Sequence, residues 1–414
     1  MVGNLLVMGC IGAMAAGGAH FEAAAGKVEI TPDHAVYLAG YGSNRRSAGV
    51  HDPLWARCLV MKRGSQAVAL VSCDLLAVPR WHAQRIRALI RSVPPERVLI
   101  GATHTHSGPD TYGQWGPNLR TSGVDQAWMD AFIRKVAALV DDTAAHLRPA
   151  HVRFGSTRDV HGCSKNIRIP QVLDTELSAM QVLDEHHTTI ATLVNYACHP
   201  EILDNHWITS DFPNWLRARV EERLGGIAIY MNGAQGGMVT ADIRNEKAYP
   251  PGEAWPEAVR IGTTLADKAV EALQAGTTVD DPSITFGQRR FWVPLENPVF
   301  RMLIANKIFP DFLDRGRVPT EVSRFTIGPA EFLTFPGEVL PNIGLYLKRR
   351  MTGTPRFELG LTGDALGYIL TPEDYGLPLY RYESSVSIGP QMGRAMENNL
   401  LALMGAEHSP GKGP

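Results

Sequence analysis

The chain alternates between short apolar runs and segments with helical periodicity from Gly26 onward. Short apolar runs bounded by polar residues are typical of buried strands, whereas apolar positions that recur every three or four residues indicate helices. Strands are predicted on this basis at 68–76, 98–103, 151–157, 191–198 and 227–232. Helices are predicted at 81–93, 127–146, 212–224, 254–274, 338–350 and 389–404.

The order of these segments predicts one α/β domain. The strand–helix–strand unit over 68–103 is typical of a parallel strand pair, because its helix carries the chain back across the sheet. Later β-rich pieces lie at 284–295 and 323–337, and neither an internal repeat nor a long polar linker divides the chain. We therefore expect a mixed β-sheet flanked by helices over residues 23–407, with a disordered tail at 408–414.

The N-terminus is an apolar segment that is rich in small side chains. Residues 2–19 read VGNLLVMGCIGAMAAGGA, and their Ala-rich end is of the kind that a signal peptidase accepts. No Lys or Arg precedes the run, although a signal peptide usually has one there. We expect residues 1–22 to be a signal segment and the protein to be exported to the periplasm or secreted. A misplaced start codon or a buried terminal strand, with a cytoplasmic protein, is the alternative.

Composition excludes several classes of function. Lys and Arg total 40 and Asp and Glu total 42, which gives a net charge of −2. Nucleic acid is not expected as a partner, because such binding needs a basic excess or a basic face. Outside the N-terminus, no run approaches the ~20 apolar residues that span a bilayer. The five cysteines include no CxxC pair, so neither a thiolate zinc site nor a thiol redox site is expected.

Histidines follow two of the predicted strands. His104 and His106 lie in GATHTHSGP, and His199 is the first polar residue after the run ATLVNYAC. In extended chain, residues two apart project to the same face, so His104 and His106 can point at one site. Strand ends are where ligand sites form in α/β sheets. Neutral imidazoles with a carboxylate suit Zn²⁺, whereas a single histidine at a strand end is more often structural.

Three carboxylates near these strand ends are candidates for the same site. Asp204 and Asp211 could orient the imidazoles, but Asp211 also precedes a predicted helix, as a residue that caps a helix does. Glu338 follows an apolar strand and a Pro-Gly turn, and we expect it to begin the helix at 338–350. An acidic residue there is either a metal ligand or a favourable partner of the helix dipole.

A glycine-rich segment and two tyrosines complete the candidate chemistry. NGAQGG at 232–237 follows a strand, and backbone N–H groups around Gly233 could hold an oxyanion. Tyr368 and Tyr382 lie in a tyrosine-rich segment, where burial of the ring is the simpler explanation. The chain has no GxSxG and no HExxH motif, which argues against those two hydrolase designs.

Motifs spread over roughly residues 26–405 resemble one known family. In chain order they are VEITP, LAGYG, ATHTHSGP, NYACHPE followed by Ser210-Asp211, NGAQGG, PGE, GYILTPEDY and YESSVSIGP. THTHSGP is the most specific of them. The chain resembles the N-terminal catalytic domain of the neutral/alkaline (non-lysosomal) ceramidases.

This resemblance implies a zinc-dependent amide hydrolase of sphingolipid metabolism, in which zinc activates the attacking water. Residues 23–407 would form its single catalytic domain. The implied zinc ligands are His104, His199, Glu338 and Tyr368. Of the catalytic residues, His106 would transfer protons or contact substrate, Tyr368 or Tyr382 would donate to the oxyanion, and Arg168 in SKNIRIP would contact substrate.

Two features separate the chain from the family pattern. The family's Gly-Asp-x-Ser segment reads GAQGGM here, which suits attack by water better than attack by a serine. Full-length members have a C-terminal immunoglobulin-like domain, which we expect this chain to lack.

The substrate is therefore expected to be a small N-acyl or lipid-like molecule, with peripheral membrane contact. The oligomeric state stays open. An esterase or lactonase that uses the same zinc site, a non-catalytic metal-containing binding protein, and purely structural histidines are the alternatives.

Overall fold

The computed structural model describes residues 20–118 and 120–405. The expected signal segment at 1–22 therefore lies almost entirely outside the described residues, and the expected tail at 408–414 lies wholly outside them. The first strand begins at Phe21, two residues before the expected start of the domain. Within the described ranges, no helix has both the length and the apolar composition needed to cross a membrane.

The described residues form strands, α-helices and three short 3₁₀ segments. The strands are β1 Phe21–Glu29, β2 Gly49–Val50, β3 Trp55–Arg63, β4 Gln66–Cys73, β5 Val98–Ala102, β6 Arg148–Thr157, β7 Ser164–Asn166, β8 Leu177–Asp184, β9 Thr189–Tyr196, β10 Trp207–Ile208, β11 Ile227–Asn232, β12 Val239–Ala241, β13 Thr277–Val279, β14 Ile284–Pro294, β15 Arg317–Ile327, β16 Ala330–Thr334, β17 Glu338–Val339, β18 Arg356–Leu359 and β19 Tyr368–Ile369. The α-helices are α1 Arg80–Arg87, α2 Gln126–Ala145, α3 Phe212–Leu224, α4 Trp255–Gln274, α5 Pro298–Ala305, α6 Pro341–Lys348, α7 Arg381–Ser385 and α8 Gln391–Leu403. The 3₁₀ segments are Pro95–Arg97, Glu246–Ala248 and Pro378–Tyr380.

The largest sheet has nine strands and mixed direction. Its order is β11-β9-β8-β6-β1-β3-β4-β5, and β13 pairs with β6. The β4–β5 and β9–β11 pairs are parallel, and the remaining neighbours are antiparallel. The mixed α/β fold expected from the sequence is thereby confirmed.

The two halves of this sheet pack face to face. β1 and β6 pair over only two residues, and the sheet divides at this short contact. One half contains β1 and β3 to β5, and the other contains β6, β8, β9 and β11. Leu70 of one half and Met231 of the other share a buried core. α1 and α2 cover the outer face of the first half, and α3 and α4 cover that of the second. The result is a stack of helix, sheet, sheet and helix that brings β11 against β4 and β5.

A smaller four-stranded sheet, β14-β15-β16-β18, closes one side of this stack. Phe325, Phe332 and Phe357 stack on one another at ring-centroid separations of 4.5 and 4.3 Å and enter the core between the sheet halves. The other face of the small sheet packs on α5, α6 and α8. The C-terminal part of the chain thus shares a core with the large sheet.

Most predicted elements are present, and two of them differ in an instructive way. The predicted helix at 81–93 ends at Arg87, because the Asp141 carboxylate accepts bonds from the backbone N–H groups of Arg91 and Ser92 and holds the following segment in a turn. The prediction that Glu338 begins a helix is wrong: it lies in β17, and α6 begins at Pro341.

Candidate metal centre

Three histidines converge at the end of β5 and beyond the end of β9. One ring nitrogen from each of His104, His106 and His199 lies within 4.8 Å of the other two. The Nε2 atoms of His104 and His106 are 3.5 Å apart, and the rings of His104 and His199 are 4.8 Å apart between centroids. All three side chains are buried. The structure therefore brings together the histidines that the sequence singles out.

The route by which they meet differs from the expected one. His104 has a φ of +74°, in the left-handed region, so the pair is not extended chain that alternates between faces. The two strands do not share one edge of an open sheet either, because β5 ends the strand order and β9 lies near its other end. They meet because the halves of the sheet face each other.

Backbone carbonyls orient two of the imidazoles. The Nδ1–H of His104 donates to the Leu76 carbonyl at 2.8 Å, and that of His199 donates to the Val239 carbonyl at 2.9 Å. A neutral imidazole with its proton on Nδ1 has a lone pair on Nε2, which is the form that binds a metal. Both Nε2 atoms are therefore available as ligands.

The two aspartates considered for this orienting role lie elsewhere. Asp211 caps α3 by accepting from the Phe212 N–H, as its alternative interpretation predicts. Asp204 pairs with Arg45 at 3.0 Å, and the Arg45 guanidinium also donates to the backbone carbonyl of His106. Asp204 therefore supports the backbone of His106 through Arg45, and it does not contact an imidazole of the cluster.

The Glu338 carboxylate faces both free nitrogens. Its Oε2 lies 3.0 Å from Nε2 of His199 and 3.4 Å from Nε2 of His104. Burial by itself would raise the pKa of the Glu338 carboxyl, but the adjacent imidazoles hold it well below its usual range. Burial also lowers the pKa of His199, but the carboxylates of Glu201 and Glu338 outweigh this effect and raise it to about 9.

This donor set fits a divalent cation. Two Nε2 lone pairs and a carboxylate oxygen repel one another unless a positive charge lies between them, supplied by an imidazolium proton or by a metal ion. Two imidazoles and one carboxylate, all buried, are ligands that zinc takes in proteins. His104, His199 and Glu338 are therefore suited to hold such an ion.

Tyr368 and Tyr382 border the same site. Tyr368 is paired with Glu338 in the register of β17 and β19, and its hydroxyl donates to the Met238 sulfur at 3.5 Å. Its ring lies 5.8 Å from that of Tyr382, which is half exposed. Burial and then Glu338 raise the pKa of both hydroxyls, to about 12 for Tyr382. Both hydroxyls are protonated at neutral pH, and the ligand role of Tyr368 stays a prediction.

A cavity of about 220 Å³ opens from this site. His104, His106 and Glu338 form its polar end together with the two tyrosines. Most of the remaining wall is apolar or aromatic, and the side chains that sequence reasoning missed include Leu76, Tyr112, Trp115, Phe300, Phe309 and Val386. Tyr41 of the LAGYG motif also lines it, with its ring 5.0 Å from that of His106. The cavity thus suits a substrate with a polar and an apolar part.

Arg168 is not among the residues that line this cavity. Its Nε donates to the Glu383 carboxylate at 2.7 Å, and so it ties the segment after β7 to α7. Arg168 therefore bonds to the residue that follows Tyr382 in the chain and lies outside the cavity wall. Its contact with substrate stays a prediction.

Two backbone N–H groups of the NGAQGG segment already have partners within the fold. The Gly233 N–H donates to the Tyr196 carbonyl and to the Asn232 side chain, and the Gly236 N–H donates to the Val339 carbonyl. A Cβ at Gly236 would lie 2.3 Å from the Glu338 carbonyl, so glycine is required for the loop to pack against β17. The segment therefore packs against the strand that carries Glu338, and contact of the segment with an oxyanion stays a prediction.

Asn232 links the two histidine segments, which sequence reasoning missed. Its fully buried side chain donates from Nδ2 to the Cys198 carbonyl at 2.8 Å and to the Thr103 carbonyl at 3.3 Å. Its Oδ1 accepts from the Cys198 N–H at 3.1 Å. Cys198 and Thr103 directly precede His199 and His104, so one amide fixes both histidines.

Comparison with known proteins identifies relatives of the chain. The model of the family described as "Neutral/alkaline non-lysosomal ceramidase, N-terminal" matches residues 21–226. The neutral ceramidase of Pseudomonas aeruginosa is 24% identical over 210 residues, which cover 45% of this chain and 31% of that protein. The neutral ceramidase of Mycobacterium tuberculosis is 29% identical over 223 residues, which cover 47% of this chain and 34% of that protein. The match thus spans about a third of the length of these curated relatives.

Solved structures share the fold of the chain. The crystal structure of neutral ceramidase from Pseudomonas aeruginosa matches with a TM-score of 0.77 at 19% identity and covers 93% of this chain and 74% of that one. A structure described as ceramidase complexed with C2 gives the same score and identity and covers 93% and 75%. The chain belongs to the neutral/alkaline, non-lysosomal ceramidase family.

Proposed function

We propose that the protein is a zinc-dependent hydrolase that cleaves the amide bond of an N-acyl, lipid-like substrate. The observation that carries this proposal is the meeting of two imidazole Nε2 atoms and a buried carboxylate at the polar end of a largely apolar cavity. Both curated relatives are named neutral ceramidases, which supports amide hydrolysis and sphingolipid metabolism.

His104, His199 and Glu338 would hold the metal, with Tyr368 as a further ligand. A bound zinc ion supplies a Lewis acid that polarises a carbonyl and makes water reactive near neutral pH. The carbonyl hydrogen bonds of His104 and His199 keep their Nε2 atoms directed at the site before any metal binds. Little reorganisation would therefore accompany binding, which favours tight retention of the ion.

His106 would move the proton. Burial, followed by the neighbouring His104 and His199, lowers the pKa of its imidazole well below the ordinary value, so the ring is neutral at pH 7. A neutral ring can take a proton at Nε2 from the attacking water and return it to the amine that leaves. Nε2 lies 3.5 Å from the corresponding atom of His104, on the side of the cavity where the reaction would occur.

Tyr382 would donate a hydrogen bond to the oxygen that becomes negative during attack. Its hydroxyl stays protonated because burial and the charge of Glu338 raise its pKa to about 12. The half-exposed ring also lies at the open side of the cavity, where it can reach a substrate that enters. Preorganised donors of this kind are often a large part of the rate enhancement of an acyl-transfer enzyme.

The apolar wall would take the acyl chain. Phe300 and Phe309 are packed against each other at 5.7 Å between ring centroids, and Tyr112 lies 5.7 Å from Phe309. Burial of a chain against such rings is favourable at about 25 cal/mol per Å² of apolar surface removed from water. A substrate with this character comes from a lipid surface, so the proposal includes peripheral membrane contact.

Hydrolysis of matched N-acyl amide and O-acyl ester substrates tests this function. We expect the metal-loaded protein to release fatty acid from the amide, and His199→Ala to abolish both metal content and turnover. Turnover of the ester alone would favour the esterase alternative, which the same site also suits. Stoichiometric zinc with no turnover of either compound would favour a metal-containing binding protein.

A further inference from the structure

A second carboxylate lies beside His106, on the side opposite to its cavity-facing nitrogen. Oε2 of Glu201 is 3.6 Å from Nδ1 of His106, and both side chains are largely buried, with exposed fractions of 13% and 10%. Among the described residues, this Nδ1 atom has no hydrogen-bond partner of ordinary length, although it is shielded from solvent. Glu201 is therefore the group placed to satisfy it. Hydrogen bonds in an active site often tighten when substrate binds.

The backbone around Glu201 is fixed from three directions. The Tyr41 hydroxyl donates to the Glu201 carbonyl. The N–H of His106 donates to the Pro200 carbonyl at 3.2 Å, so the two segments are joined directly. The next residue, Ile202, donates its N–H to the Asp211 carboxylate at 2.9 Å. The backbone that carries the Glu201 side chain is thus held beside His106 by the fold.

The two nitrogens of a neutral imidazole have opposite roles, since only one carries the proton. The other histidines of the cluster have their tautomer set by backbone carbonyls, at Leu76 for His104 and at Val239 for His199. A carboxylate beside Nδ1 would perform the same task for the third ring, because it would accept from Nδ1–H and leave Nε2 with a lone pair. Nε2 is the atom that faces His104 and the cavity.

We propose that Glu201 is a positioning residue for His106, whose carboxylate holds the proton on Nδ1 and directs the Nε2 lone pair into the site. The effect on turnover rests on the proposed function, whereas the tautomer does not. Nε2 must carry a lone pair whether His106 takes a proton from water or binds the metal, so the assignment is the same in both cases.

The tautomer is measured by NMR on protein labelled with ¹⁵N-histidine, with His106→Asn to identify the resonances of this ring. We expect the proton on Nδ1 in the wild type and in Glu201→Gln, whose amide oxygen still accepts. In Glu201→Ala the proton should leave Nδ1, in part or completely. A ring that keeps the Nδ1–H form in Glu201→Ala, or that carries its proton on Nε2 in the wild type, overturns the proposal.

Kinetics provide the second readout. On an N-acyl substrate, Glu201→Ala should lower kcat by ~10–100-fold with little change in KM or metal content, and Glu201→Gln should recover most of the loss. A Glu201→Gln variant as slow as Glu201→Ala contradicts the proposal. If the wild type hydrolyses no N-acyl substrate, the proposed function fails, and the NMR result alone decides the role of Glu201.

Discussion

Replacement of Asn232 by alanine would test how the fold holds its two distant histidines together. The side chain of Asn232 bonds to the residues that precede His104 and His199, and its amide is fully buried. Asn232→Ala removes both links and adds no new group. The packing of the two halves of the large sheet would then have to position the histidines without this amide.

The energetic cost follows from the groups that lose their partners. The Cys198 N–H and the Thr103 carbonyl lose their side-chain partner, whereas the Cys198 carbonyl keeps the Tyr230 hydroxyl at 3.5 Å and the Gly233 N–H keeps the Tyr196 carbonyl. A buried polar group without a partner costs ~1–3 kcal/mol, so two such groups predict a loss of about 4 kcal/mol in the free energy of unfolding. Because both histidines are displaced, we also expect a ~10–100-fold loss of zinc affinity.

Urea unfolding and competition with a chromogenic chelator measure the two effects. Asn297→Ala is the matched control, because its buried amide donates to the Ser385 and Ser387 carbonyls at 2.8 and 2.6 Å and bonds to no residue next to a histidine of the cluster. It should lose stability and keep its zinc affinity. Wild-type zinc affinity in Asn232→Ala would refute the linking role, and a stability loss well under 1 kcal/mol would refute the count of unpaired groups.

Three further predictions concern Glu338, the oxyanion and a buried histidine. Gly236→Ala should lower metal content and cost ~1–3 kcal/mol in unfolding, because its Cβ would meet the Glu338 carbonyl at 2.3 Å, whereas Gly42→Ala has no atom within 4 Å and should change neither quantity. Tyr382→Phe should lower kcat by ~10²–10³-fold without loss of metal, and unchanged kcat would exclude this donor. Burial lowers the pKa of His82 to about 4, so the unfolded chain takes up the proton first and stability should fall by about 3 kcal/mol as pH drops from 6.5 to 4. His82→Gln should reduce this dependence in urea unfolding, and an unchanged pH dependence would contradict it.

Local pattern was sufficient for many of the elements. The helix at 212–224 and the strand at 227–232 have the bounds that periodicity and the flanking residues predict, since Asp211 and Gly225 mark the ends of the helix. The histidines were also found from sequence, because polar residues after buried strands are conspicuous. Elements whose boundaries depend on neighbouring residues in the chain can be predicted in this way.

Long-range pairing accounts for what the sequence did not reveal. Glu338 follows a turn and precedes a helix, and only its pairing with Tyr368 makes it a strand. Nothing in the sequence indicates a partner for the Gly233 N–H, but in the fold it donates to the carbonyl of Tyr196, which belongs to another strand. Asn232 ends a strand like many asparagines, and its role depends on two carbonyls from opposite halves of the sheet. No local pattern encodes these partners.

Metal stoichiometry of the purified chain is the most direct test of the central claim, that His104, His199 and Glu338 share one divalent cation. We predict one zinc ion per wild-type chain by mass spectrometry of the metal after dialysis, and less than a tenth of this amount in His199→Ala. Full-length, folded wild-type protein that binds no stoichiometric metal, or a His199→Ala variant that keeps it, would contradict the account.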